Sequence, residues 1–270
     1  MSTVVDPYHI SYREIGPPED LKDIVLSFWE MDVSRLAAPS YDHRIVPEAS
    51  TSIVLARSSV GPAWKMHVVG PRTEALVVPI HEGEWFSGVR FIPGIASQLF
   101  RFVATDQVST MGPVSEMLPH FASILSGKLG CRISDELAVG VLADVVRESV
   151  PLDYHPDLRI VEAFRAVWRT RGLISVKALA QQIHTSDRQT QRLFQKHIGL
   201  SPKQVIRLVR LRATAEDALH QSKGSWSRIA ADRGFSDQAH LTREVKELTG
   251  VTPATLEGSV RRIEHIELQD

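Results

Sequence analysis

The chain has 270 residues, 43% hydrophobic and 23% charged, with a net charge of −1 and a single cysteine, Cys131. That length holds about two ordinary domains, and the composition is that of a soluble globular protein. No apolar run approaches the ~20 residues needed to cross a bilayer, and no secretory leader opens at Met1. One cysteine excludes an internal disulfide and a thiolate metal cage, and it points to a reducing cytoplasm.

The first half reads as β-rich. Residues 10–15, 24–35, 51–57, 64–69, 74–81 and 85–92 are β-branched or aromatic runs separated by Gly and Pro. Glu82-Gly83-Glu84 has the look of a short hairpin connection. Beyond Pro93-Gly94 the pattern turns helical. Ser134 is placed to cap a helix, with Asp135 and Glu136 in its first turn. Leu137, Val141, Leu142, Val145 and Val146 follow at helical spacing. Residues 151–156 hold two prolines and no periodicity, which sets the domain boundary there and divides the chain into residues 1–153 and 154–270.

The near-neutral net charge conceals an asymmetry. Residues 1–153 carry 12 basic against 19 acidic side chains, whereas residues 154–270 carry 19 against 13. The excess is concentrated between Asp187 and Arg212, where Arg188, Arg192, Lys196, Lys203, Arg207, Arg210 and Arg212 meet one acid. A basic stretch of this kind suits a polyanion.

The second half is helical throughout. Residues 157–170 bear an apolar stripe ended by Gly172, and Ser201-Pro202 opens a long helix expected to run to about Gln221. On either side of that helix stands an internal repeat. Residues 179–187 correspond to 229–237 at an offset of 50, and from Arg192 and Arg243 onward the offset is 51. Each copy reads as a short helix, a tight turn and a second helix, the helix-turn-helix unit whose second helix enters the major groove. Gly234 occupies the turn of copy two and His184 that of copy one. Two ordinary helical hairpins are the alternative, but a duplicated pattern on a basic surface weighs against it.

Helical spacing divides the second helix of each copy into faces. Thr190, Leu193, Phe194 and His197 point inward in copy one, as do Leu241, Val245 and Leu248 in copy two. Arg188, Gln191, Arg192 and Gln195 point outward, and their counterparts 51 residues on are Ala239, Thr242, Arg243 and Lys246. Arg suits guanine, Gln suits adenine, and small side chains suit the thymine methyl. Gln238 and His240 join this set near the helix start, while Lys196, Lys203 and Arg207 suit phosphates. The connecting helix would fix the separation of the two reading helices; if shorter than the ~34 Å between successive groove faces, the DNA must bend.

These residues resemble the AraC/XylS family of regulators over about residues 157–257. The carrying segments include Arg192-Leu193-Phe194, Gly199-Leu200-Ser201-Pro202, Gly234-Phe235-Ser236-Asp237 and Gly250-Val251-Thr252-Pro253. The family usually has Gly at position 184, an apolar residue at 190 and aromatics at 241 and 245. The resemblance implies a seven-helix DNA-binding domain, RNA polymerase as a protein partner, and no cofactor. Residues 44–48, 67–71 and 88–94 resemble the β-rich effector domain of one branch of such regulators, implying a small cupin-like barrel with following helices that senses a small molecule and dimerises. The fold class is therefore α+β in two domains, the second all-α.

For an effector, Trp64 and Trp85 offer stacking surfaces, and Arg44 and Arg90 offer anion-binding groups; a core role for each Trp and a structural role for each Arg are the competing readings. His43, His67, His81 and Glu48 lie on separate segments without ligand-like spacing, so no metal site is assigned. An enzyme fused to a DNA-binding domain is disfavoured, because no nucleophile-elbow, phosphate-loop or His-Glu-x-x-His motif occurs and Cys131 cannot supply a four-thiolate zinc site. A first half that only dimerises or meets a protein partner remains the alternative to sensing.

Overall fold

A computed structural model describes residues 8–58, 64–129, 138–220 and 225–265. Cys131, the predicted cap at Ser134 with Asp135, Glu136 and Leu137, and Gln221 lie outside the described residues.

The N-terminal half is built on strands β1 (His9–Ile15), β2 (Val25–Arg35), β3 (Tyr41–Ile45), β4 (Ser52–Arg57), β5 (Trp64–Val69), β6 (Leu76–Ile80), β7 (Trp85–Phe91) and β8 (Met111–Pro113). All six predicted runs are strands, with ends displaced by at most a few residues. Strands β3 and β8 were not expected, and neither was β9 (Ile263–His265) at the far end of the chain. A seven-stranded sheet runs β8-β5-β4-β7-β2-β1-β9, and β3 pairs with β6 alone. Neighbouring strands are antiparallel except β9, which lies parallel to β1 and extends the sheet from the C-terminal half. The barrel expected from sequence is thus an open cup: among the described residues no ladder closes the long sheet or joins it to the β3–β6 pair.

Strand alternation gives the long sheet two faces. Phe28, Ile53, Leu55, Val68, Val89 and Phe91 are buried on one, against helices α1 (Ile95–Phe100), α2 (Val114–Met117), α3 (Pro119–Leu129) and α4 (Ala138–Ser149). On the other, Ile10, Met31 and Val33 pack with Ile80, Tyr41 and Val78 of the β3–β6 pair in a second, smaller core.

The C-terminal half follows a stretch free of helix and strand at residues 150–157. It comprises α5 (Leu158–Arg169), α6 (Val176–Gln182), α7 (Asp187–His197), α8 (Pro202–His220), α9 (Trp226–Asp232), α10 (Gln238–Thr249) and α11 (Pro253–Arg261). The larger core runs without a break from Phe91 and Leu142 through Ile160 and Phe194 to Leu208 and Leu241. The two halves share one hydrophobic interior.

Candidate nucleic-acid interface

In the first repeat α6 and α7 are each started by a serine. Ser175 accepts from the amide of Ala178, and Ser186 accepts from that of Gln189, whose side-chain oxygen in turn accepts from the Ser186 amide at 2.9 Å. This capping box satisfies donors that a helix start leaves open. The chain turns between the helices at His184, where φ is +52°. Thr190, Leu193, Phe194 and His197 are buried. Thr190 replaces an apolar side chain without an unpaired hydroxyl, because its Oγ1 lies 2.7 Å from Oγ1 of Thr185 and donates to the Ser186 carbonyl. Arg188, Gln191, Arg192, Gln195 and Lys196 are exposed along the opposite side. The Gln195 side-chain Nε2 also donates to the Gly199 carbonyl at 3.2 Å.

The second repeat reproduces this plan with different capping chemistry. The turn sits at Gly234 with φ +68°, and Asp237 caps α10 by accepting from the His240 amide at 2.6 Å. Leu241, Val245 and Leu248 are buried; Gln238, Ala239, Arg243 and Lys246 are exposed, and Thr242 is half-buried. The His240 ring turns back onto the turn, edge-on to Phe235 and 3.2 Å from the Ser236 hydroxyl. It shapes the helix start as well as standing near it.

The connecting helix α8 opens with a second capping box, Ser201 with Gln204. Lys203 is exposed in its first turn. Arg207 has partners the sequence did not reveal: its guanidinium donates to both carboxylate oxygens of Glu244, at 2.6 and 3.0 Å, and to Glu247 at 2.9 Å. The hydrogen bond to Glu244 comes first in holding Arg207 charged, well above the usual arginine range. The residue thus ties α8 to α10, a task distinct from the phosphate contact expected of it.

The four effector candidates are not brought together. Arg44 donates to the Thr249 carbonyl at 2.8 Å, at the end of α10. Trp85 is buried on the helix-facing side of the sheet, edge-on to Trp64 with ring centres 5.7 Å apart. Arg90 lies on the other face, inside the cup, bonded to Glu48 at 3.0 Å, to the Tyr12 hydroxyl at 2.9 Å and to Glu14 at 3.2 Å. Sequence reasoning overlooked Trp29 and Tyr12, and weighed His43 only as a metal ligand. Trp29 stacks on Tyr12 and lies under the Arg90 guanidinium, and a Cβ at Gly88 would meet its indole at 2.5 Å. His43 shares the inward face of β3 with Tyr41. Burial pushes its pKa down to about 4, so it is neutral near pH 7.

Arg90 also begins a chain of alternating charges that leaves the cup. Burial opposes the charge on Glu14, but Arg90 and Arg212 overcome it and hold the carboxyl down at about 2. Its second oxygen is 2.7 Å from Arg212 of α8, which reaches Glu216 at 2.9 Å. Glu216 meets Arg171 at 3.1 Å, Arg171 meets Asp217 at 3.0 Å, and Asp217 accepts from Arg233 at 2.8 Å. Arg233 immediately precedes the Gly234 turn. Among the described residues no group of three or more His, Cys, Asp or Glu converges as metal ligands would, and no helix is long and apolar enough to cross a membrane.

Comparison with known proteins finds two matching regions. Residues 179–258 match the family model of a helix-turn-helix domain, and residues 13–109 match a domain of unknown function, DUF6597. No curated protein matches the sequence. Among solved structures, the chain is similar to ToxT from Vibrio cholerae bound to (E)-4-(8-methylnaphthalen-1-yl)but-3-enoic acid, at 11% identity and a TM-score of 0.46, covering 93% of this chain and 99% of that one. A 1.65 Å structure of ToxT gives 11% and 0.44, covering 92% and 98%. Unsaturated fatty acid-bound wild-type ToxT gives 7% and 0.40, covering 95% and 97%.

Proposed function

We propose that this protein, whose residues 179–258 match a helix-turn-helix domain, is a cytoplasmic, sequence-specific transcription regulator of the AraC type that reads double-stranded DNA through α7 and α10. One observation carries the reading. Two helices related by the internal repeat each bury one face in a common core and leave the equivalent other face exposed, with Arg192 and Arg243 at matched positions. In this reading base readout falls to Arg188, Gln191, Arg192, Gln195, Gln238, Ala239, Thr242, Arg243 and Lys246, while Lys196 and Lys203 are assigned to phosphates. Residues 154–270 form the DNA-binding half and residues 1–153 the sensing half; homodimerisation and contact with RNA polymerase complete the reading.

The effector is a small molecule held in the cup rather than a substrate turned over. The Trp29 indole nitrogen is buried there without an acceptor, and the Arg90 charge is already compensated by Glu14 and Glu48. A buried donor left unpaired costs about 1–3 kcal/mol, which a ligand acceptor would recover. Selection of duplexes from a random library by the full chain tests the DNA reading. Arg192→Ala and Arg243→Ala should each weaken binding to the selected duplex by about 1–3 kcal/mol. Unchanged titrations for both variants would remove these residues from the interface.

A further inference from the structure

The last carbonyls of a helix have no partner within it. For α7 and α10 those carbonyls receive donors from the N-terminal half. The Ser97 hydroxyl, on α1, donates to the His197 carbonyl at 2.6 Å. Just beyond, Gly199 is seated so closely on the turn at Ala104–Gln107 that a Cβ there would lie 2.5 Å from the Ala104 carbonyl oxygen. At α10 the Ala75 amide donates to the Leu248 carbonyl at 3.0 Å, and the Arg44 guanidinium donates to that of Thr249 at 2.8 Å. A cation at a helix C-terminus is also favoured by the helix dipole.

The two contacts come from different elements, α1 with its following turn and the β3–β6 pair, yet from one half of the protein. They touch the C-terminal ends only. Arg188, Gln191 and Arg192 on α7, and Gln238, Ala239 and Arg243 on α10, stay exposed.

From this double grip, and resting on the reading of α7 and α10 as DNA readers, we infer that the N-terminal half sets the spacing of the two recognition helices, with Ser97 and Arg44 as positioning residues. The connecting helix α8 joins the two units on one side, and the sensing half braces them on another. DNA whose half-sites do not match the braced spacing must then be deformed, at a cost that depends on its sequence.

The full chain carrying Ser97→Ala and Arg44→Ala tests this in two ways. Spin labels at Lys196→Cys and Lys246→Cys, in a Cys131→Ser background, report the α7–α10 separation without DNA. The distance distribution should be narrow with the grip intact and about twofold broader without it, since each rotation freed admits further positions. Duplexes selected by the unsubstituted chain are then rebuilt with one to three base pairs inserted between the half-sites. The unsubstituted chain should discriminate against them by about tenfold or more, and the double variant by less than about twofold. Arg44→Lys, which keeps a cationic donor, should restore most of the discrimination and guards against a double variant that fails to fold. A variant with an unchanged melting profile, label distribution and spacing preference overturns the grip. A chain that selects no duplex overturns the DNA reading instead, while the label distances still decide the grip.

Discussion

His43 shows how a single side chain couples the cup to pH. Its folded pKa, about 4, lies below the ordinary histidine value of 6.5, because burial disfavours the imidazolium. The unfolded chain therefore binds the proton first, and stability falls as pH drops from about 6.5 toward 4. Replacing His43 with Leu should spare about 2–3 kcal/mol of the stability otherwise lost between pH 7 and 4.5. Denaturant titrations at the two pH values measure this, and equal losses in both proteins would show that His43 is hydrated or partnered. Glu14 acts in a lower window. Its depressed carboxyl contributes above about pH 4.5, and that contribution is lost as pH falls toward 2. At this scale the sequence held more than was read from it. Trp85 and Arg90 are five residues apart on one strand, an odd spacing that sends them to opposite faces. The partners of Arg207 and Arg44 could not be read, since they come from elements 37 and 205 residues away.

At the scale of elements, the turn and the helix end differ in what surrounds them. Gly199 and Gly234 both have positive φ, +81° and +68°, so an alanine at either is strained by about 1–2 kcal/mol. Only Gly199 lies against the other half: a Cβ at Gly234 would meet just the tip of Leu173 at 3.2 Å, whereas one at Gly199 would collide with backbone at Ala104. Gly199→Ala should therefore cost at least about 1 kcal/mol more than Gly234→Ala in denaturant melts. Matching costs would mean the α7 end is not seated as described. The helices and most strands were legible because their periodicity, caps and glycine stops are local. Strands β3, β8 and β9 were not: β8 and β9 have three residues each, and pairing with distant strands defines all three.

For the whole molecule, the repeat and the charge asymmetry point from sequence to a bipartite reader of DNA. What they could not convey is that the two halves share a core and that the N-terminal half holds the ends of both α7 and α10. Periodicity reports which face of an element is buried, never which element covers it. Apart from the i,i+4 pair Arg212–Glu216 on α8, the charge chain from Arg90 to Arg233 is invisible for the same reason, since its other links join different parts of the chain.

On the proposed function, α7 and α10 each read one stretch of major groove. Methylation interference at guanine N7 on a selected duplex tests it most directly, because an arginine bidentate to guanine contacts that atom. Two separate clusters of interfering guanines are predicted, with Arg192→Ala erasing one and Arg243→Ala erasing the other. A single cluster, or two variants that erase the same guanines, would contradict a reader with two recognition helices.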